Sequence, residues 1–161
     1  MATAIGQICI NVTDLERSVA FWRDTLGIPL QSRTEIPTAL EAVLQANEGG
    51  SRIQLAQQLD QQGPIDHGGP RFGADPGEDG GTNGYGGAVW KLYIYTDDCA
   101  ALHQKCLDAG CEEVMEPTDL DRWPVTVSFV RDFDGYLFEL IENHEGTPAG
   151  MPDPGSTRRS R

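Results

Sequence analysis

Apolar and polar side chains alternate over residues 5–12, placing Ile8, Ile10 and Val12 on one face and Gln7, Cys9 and Asn11 on the other. A period of two is the signature of a β-strand. Past Val12 the period lengthens: Leu15, Val19, Trp22 and Leu26 recur at helical spacing, with Trp22 on the core side. Thr13 and Glu16 stand at capping-box spacing at the start of this helix, and Gly27 ends it. Residues 30–33, 39–45 and 51–57 read as three further strands, with residues 47–50 supplying the turn between the last two. The first half is therefore β-α-β-β-β.

The second half repeats this order. A strand over residues 89–96 precedes a helix over 98–109 carrying Ala101, Leu102 and Cys106, and strands follow over 111–115, 125–130 and 136–143. The turn Asp132-Phe133-Asp134-Gly135 joins the last two. Aligning the halves superposes Ile8, Ile10 and Val12 on Leu92, Ile94 and Thr96. A one-residue slip would exchange the two faces of each strand, so the match is a strong constraint. The same alignment pairs Gln7 with Lys91 and Gln54 with Glu139, so the two halves differ where they are expected to share chemistry.

The organisation predicted is an α+β fold in four stretches: a first βαβββ module (1–58), a Gly- and Pro-rich loop (59–88), a second βαβββ module (89–145) and a disordered tail (146–161). About one residue in three of the loop is glycine, a composition that does not nucleate regular structure. Phe72, Tyr85 and His67 mark it as a loop with contacts rather than a bare linker.

Charge and cysteine content narrow the classes. With 25 acidic and 12 basic side chains the formal charge of the 161 residues is -13, which argues against nucleic acid or an anionic membrane as partner. No stretch has the roughly twenty apolar residues of a membrane span, and the first residues lack a signal pattern, so a cytoplasmic protein is expected. Cys9 falls in a strand, Cys99 and Cys106 on a helix and Cys111 just after it, with no CxxC pair. They read as buried thiols packing as small hydrophobes, not as zinc ligands or a disulfide framework. His67, His103 and His144 are scattered, and a surface role is expected for each.

The duplicated pattern, with TDLERSVAFWRDTLGIPL in the first half and FVRDFDGYLFELIE in the second, resembles the vicinal oxygen chelate superfamily over about residues 4–143. That group contains glyoxalase I, extradiol dioxygenases and bleomycin-resistance proteins. The resemblance implies that each module curls its mixed sheet into a partial barrel and that two modules enclose a cleft, often within a homodimer. It also implies that metal-using members place ligands on the first and last strand of each module, here Gln7, Gln54, Lys91 and Glu139.

The residues at those positions argue against a metal. A divalent ion seeks carboxylate, imidazole or thiolate, whereas an ammonium has no free lone pair and repels the cation. No cofactor is therefore expected; a bound divalent metal would have only Gln7, Gln54 and Glu139. Lys91 suits charge replacement, its ammonium standing beside Glu139 where a metal would balance the carboxylate. In the catalytic reading Glu139 is the general acid or base and Lys91 stabilises an enolate or anchors a carbonyl oxygen. That reading needs room for a reacting atom between them; direct closure leaves a structural ion pair.

Gln7, Gln54, Tyr93, Tyr95, Cys9, Asn11 and Trp123 are the candidate substrate-binding residues, with Trp90 and Leu92 pointing away from Lys91. His67 is a further candidate acid should it reach the site. Two functions follow: a metal-independent, glyoxalase-like lyase or isomerase moving a proton on a carbonyl-containing metabolite, or a protein that sequesters a small ligand as bleomycin-resistance proteins do. The acidic charge and paired tyrosines favour a cationic aromatic ligand in the second case. A metal-dependent glyoxalase or dioxygenase is the third reading.

Overall fold

The computed structural model describes residues 6–45, 51–67, 89–121 and 124–144. The expected turn at 47–50, residues 68–88 with Phe72 and Tyr85, Trp123 and the tail from 146 lie outside them. The chain divides into two compact units, Met1–Ile65 and Asp66–Arg161.

The first unit runs β1 (Gln7–Asn11), α1 (Leu15–Ala20), β2 (Leu30–Ile36), β3 (Ala39–Gln45) and β4 (Arg52–Gln58). Its sheet has the order β1-β4-β3-β2, with β1 parallel to β4 and the other neighbours antiparallel. Ile10, Val12, Leu15, Val19, Trp22, Leu44 and Leu55 are buried, so the alternation of β1 and the helical stripe meet in one core. Ile8 departs from its face, being 56% exposed near the start of the edge strand.

Two details of α1 differ from the expectation. The cap is Asp14, not Thr13: its backbone is extended and its carboxylate accepts the Arg17 N–H at 3.0 Å. A carboxylate there also faces the positive end of the helix dipole. The helix then widens into a π-helical segment, Phe21–Thr25, closed by the Leu26 N–H donating to Phe21 C=O at 3.1 Å. In this segment adjacent Phe21 and Trp22 are both buried and Leu26 is only partly covered. Gly27, at φ +74°, ends the segment as expected.

The second unit repeats the plan: β5 (Leu92–Thr96), α2 (Cys99–Asp108), β6 (Glu112–Asp119), β7 (Val125–Arg131) and β8 (Leu137–Asn143), in the order β5-β8-β7-β6. Again the first and last strands are parallel. Asp98 caps α2 by accepting the Ala101 N–H at 2.8 Å. Cys99, Leu102, His103 and Cys106 form its buried stripe, whereas Ala101 is exposed. Behind α2 lie the fully buried Ser128, Val130, Phe138 and Leu140. Each sheet is mixed and open, the α+β arrangement expected of the tandem modules.

Candidate functional site

Strand register decides which side chains meet. In the first unit Gln7 stands opposite Arg52 and Cys9 opposite Gln54, so the Gln7 side chain reaches Gln54 along a diagonal, where its Nε2 donates to Gln54 Oε1. Gln58 Nε2 donates to Asn11 Oδ1 at 3.2 Å along the same diagonal. Cys9, expected among the buried thiols, is instead exposed between these pairs; partial desolvation and the Glu41 charge push its thiol above the ordinary range. Gln7, Cys9, Asn11 and Gln54 thus share one face of the first sheet.

The second unit uses the same diagonal with different chemistry. Tyr93 stands opposite Glu139, and Lys91, two residues earlier, places Nζ in direct ionic contact with Glu139 Oε2. Both side chains are largely buried, each 12% exposed. Glu139 lies in register with Phe129 of β7, between Leu137 and Ile141 of its own strand. Phe129, Val127 and Leu137 form a buried apolar cluster, with Met115, Val125 and Ile141 packed around it. An ion pair is therefore set in an apolar floor.

Aromatic rings complete the setting. Lys91 Nζ lies 4.4 Å from the Trp90 ring centroid, 4.8 Å from that of Tyr93 and 5.4 Å from that of Phe129. The expectation that Trp90 points away from Lys91 is corrected: Lys91 precedes β5, where the strand alternation has not begun, and the ring turns to the ammonium. Trp90 and Tyr93 remain 44% and 51% exposed, so their outer surfaces face solvent, and Tyr95 is half-buried. Burial opposes the charged form of Lys91, but the hydrogen bonds to Glu139 and Tyr93 outweigh it and raise its pKa above the ordinary lysine value. Lys91 is an ammonium throughout the physiological range.

The donor chemistry of these positions does not fit a divalent metal. Glu139 is engaged by an ammonium and Gln7 spends its amide on Gln54, so the set offers one already paired carboxylate and two amides.

The histidines follow different paths. His103 is buried, contrary to the surface role expected, because positions 99, 102, 103 and 106 share the helical stripe facing the sheet. Its Nε2 lies 2.8 Å from Glu113 Oε2. His144 is exposed, 2.7 Å from Thr126 Oγ1. His67 is engaged elsewhere: its Nε2 lies 2.7 Å from the Asp134 carbonyl oxygen and its ring meets Tyr136 edge-on at 4.8 Å.

Sequence reasoning overlooked two features. Phe129 beneath Lys91 follows from folding the β7–β8 hairpin about its Asp-Phe-Asp-Gly turn, a signal already available. The other is the burial of that turn, where Asp132 Oδ1 accepts the N–H groups of Asp134 and Tyr136 at 3.0 and 2.8 Å. Burial raises the Asp132 carboxyl to about 7, assisted by the Asp134 charge and opposed by those N–H donors.

The second-unit face offers a fixed positive charge, a carboxylate and two partly exposed aromatic rings. Comparison with known proteins bears on what such a face serves. Residues 4–140 match the Glyoxalase/Bleomycin resistance protein/Dioxygenase superfamily. The chain is 27% identical over 146 residues to a lactoylglutathione lyase of Haemophilus influenzae, covering 88% of this chain and 93% of that protein. It is 26% identical over 133 residues to a probable lactoylglutathione lyase of Synechocystis, covering 83% and 90%. Among solved structures, a glyoxalase family protein from Bacillus cereus superposes with a TM-score of 0.66 at 18% identity, over 88% of this chain and 95% of that one. Glyoxalase I of Zea mays gives 0.65 at 21% identity over 84% of this chain; the chain spans 43% of that protein's length. At such identities the solved structures speak to the fold alone.

Proposed function

The chain belongs to the Glyoxalase/Bleomycin resistance protein/Dioxygenase superfamily, and on that premise we propose that it is a metal-independent member that holds a small planar molecule against Tyr93 and Trp90, with a ligand carbonyl or carboxylate oxygen on Lys91. The observation that carries this reading is the closed Lys91–Glu139 contact. An ammonium replaces the charge that a metal would bring, and closure leaves no gap for a reacting atom between the two groups. The cationic aromatic ligand expected from sequence fits less well, because the protein's own ammonium already lies over the Trp90, Tyr93 and Phe129 rings.

A second reading is proton transfer by Glu139, of lyase or isomerase type, on a carbonyl-containing metabolite. The lactoylglutathione lyase names of the two relatives favour it. It requires the ligand oxygen to draw Lys91 away, freeing the carboxylate as base while the ammonium stabilises the developing enolate.

One experiment separates the readings. The protein is stripped with a chelator, titrated calorimetrically with aromatic ketones and carboxylates, and assayed for lactoylglutathione lyase activity. Binding without turnover, retained in Glu139→Gln and weakened about tenfold to a hundredfold in Lys91→Met, supports the binding reading. Turnover abolished by Glu139→Gln with binding kept establishes the second. Activity that returns only with added divalent metal overturns both.

A further inference from the structure

Helix α2 ends on Gly110, whose φ of +95° opens the left-handed turn. The Gly110 N–H donates to Leu107 C=O at 2.9 Å and the Cys111 N–H to Cys106 C=O at 3.0 Å. These are the two hydrogen bonds of a Schellman motif, which brings the third-last helical side chain against the second side chain past the cap. Two hydrocarbon side chains usually meet there. Here both are cysteines not joined by a disulfide, Cys106 fully buried and Cys111 9% exposed at the rim of the motif. The backbone hydrogen bond between them keeps their Cα atoms within disulfide reach.

The electronic setting agrees with the geometry. The Cys111 thiol hydrogen-bonds to the Cys106 sulfur and lowers the Cys106 pKa against the opposing effect of burial. The other two cysteines differ. Cys99 is fully buried, 3.4 Å from Ser128 Oγ, with its thiol pushed up by burial; Cys9 lies exposed in the first unit.

We propose that Cys106 and Cys111 form a redox dithiol, a modification site apart from the ligand face, that closes to a disulfide by exchange with a low-molecular-weight disulfide. Cys111, nearer solvent, loses its proton and attacks one sulfur of the small disulfide, giving a mixed disulfide and expelling one thiolate, while the lowered Cys106 pKa serves the second step. Cys106 then attacks the Cys111 sulfur, forming the Cys106–Cys111 bond and expelling the second thiolate. The two protein thiols give up two electrons to the small disulfide, and their two protons pass to the departing thiolates. The Schellman contact supplies the proximity that makes the second step intramolecular.

The test incubates the folded, fully reduced protein with 2-hydroxyethyl disulfide, quenches with iodoacetamide over time and maps thiols by peptide mass spectrometry. The expected result is that Cys106 and Cys111 are lost together into one cross-linked peptide, at least about tenfold faster than Cys99 is lost. In Cys111→Ser, Cys106 should stay reduced. Circular dichroism confirms that the variant is folded, and the wild-type map stands whether or not it is. A stable mixed disulfide on Cys111 with no cross-link, or both thiols as inert as Cys99, overturns the proposal.

Discussion

The chemistry of this protein turns on whether two side chains answer each other. Lys91 and Glu139 are both largely buried, so each neutralises a charge that would otherwise lie in an apolar surround. Lys91→Ala should therefore cost roughly 3–5 kcal/mol of stability by leaving Glu139 uncompensated, whereas the paired change Lys91→Met with Glu139→Leu should cost far less. Urea titration of the three proteins measures the difference, and equal losses would sink the pairing argument. Asp132 carries the second residue-scale prediction. Its folded value, about 7, lies above its ordinary 3.8, so the folded protein binds this proton more tightly than the unfolded chain. The stability it contributes is fully present below about 3.8 and is lost as pH rises through about 7. Asp132→Asn keeps an acceptor for the Asp134 and Tyr136 N–H groups and removes the titration, so its unfolding midpoint should change less with pH across that window. His67, on the Asp134 carbonyl, and Asp134 itself flank Asp132 and are unchanged in the variant, so the difference between the two proteins reports Asp132.

Elements depend on their ends. Asp98 satisfies the Ala101 N–H at the start of α2, and Asp98→Ala should lower stability by about 1 kcal/mol. Gly110 tests the other end: a Cβ there meets no atom within 4 Å, so any loss in Gly110→Ala reports the positive φ alone, about 1 kcal/mol. Both are read from thermal or denaturant midpoints, and an unchanged Gly110→Ala would deny that backbone conformation matters here. The strands were legible because alternation and turn residues specify them locally, to the residue in the case of β3. The cap of α1 was misplaced by one residue because Thr13 and Asp14 are both good caps, and backbone geometry, not composition, chose between them. The π-helical segment had no local signal; it lies where two adjacent aromatic side chains, Phe21 and Trp22, are both buried.

At the scale of the molecule the net charge of -13 acts on any ligand before contact. A carboxylate approaching Lys91 meets a repulsive field that salt screens, so its association rate should rise with ionic strength while that of a neutral ketone of the same shape stays flat. Stopped-flow fluorescence at two salt concentrations checks this, and a carboxylate slowed by salt would show that local attraction to Lys91 dominates. The duplication explains why so much was readable from the chain. Hydrophobic period, turn residues and the repeat determine the βαβββ order, the buried faces and the correspondence of Gln7 with Lys91 and Gln54 with Glu139, because each is a property of a short stretch or of two stretches compared. Only the tertiary structure decided that Lys91 closes on Glu139, that Trp90 turns to the ammonium, that His103 is buried and that Cys106 meets Cys111. Those outcomes depend on strand register, helix termination and packing between elements, where a side chain's neighbours come from elsewhere in the chain and are not set by its own local pattern.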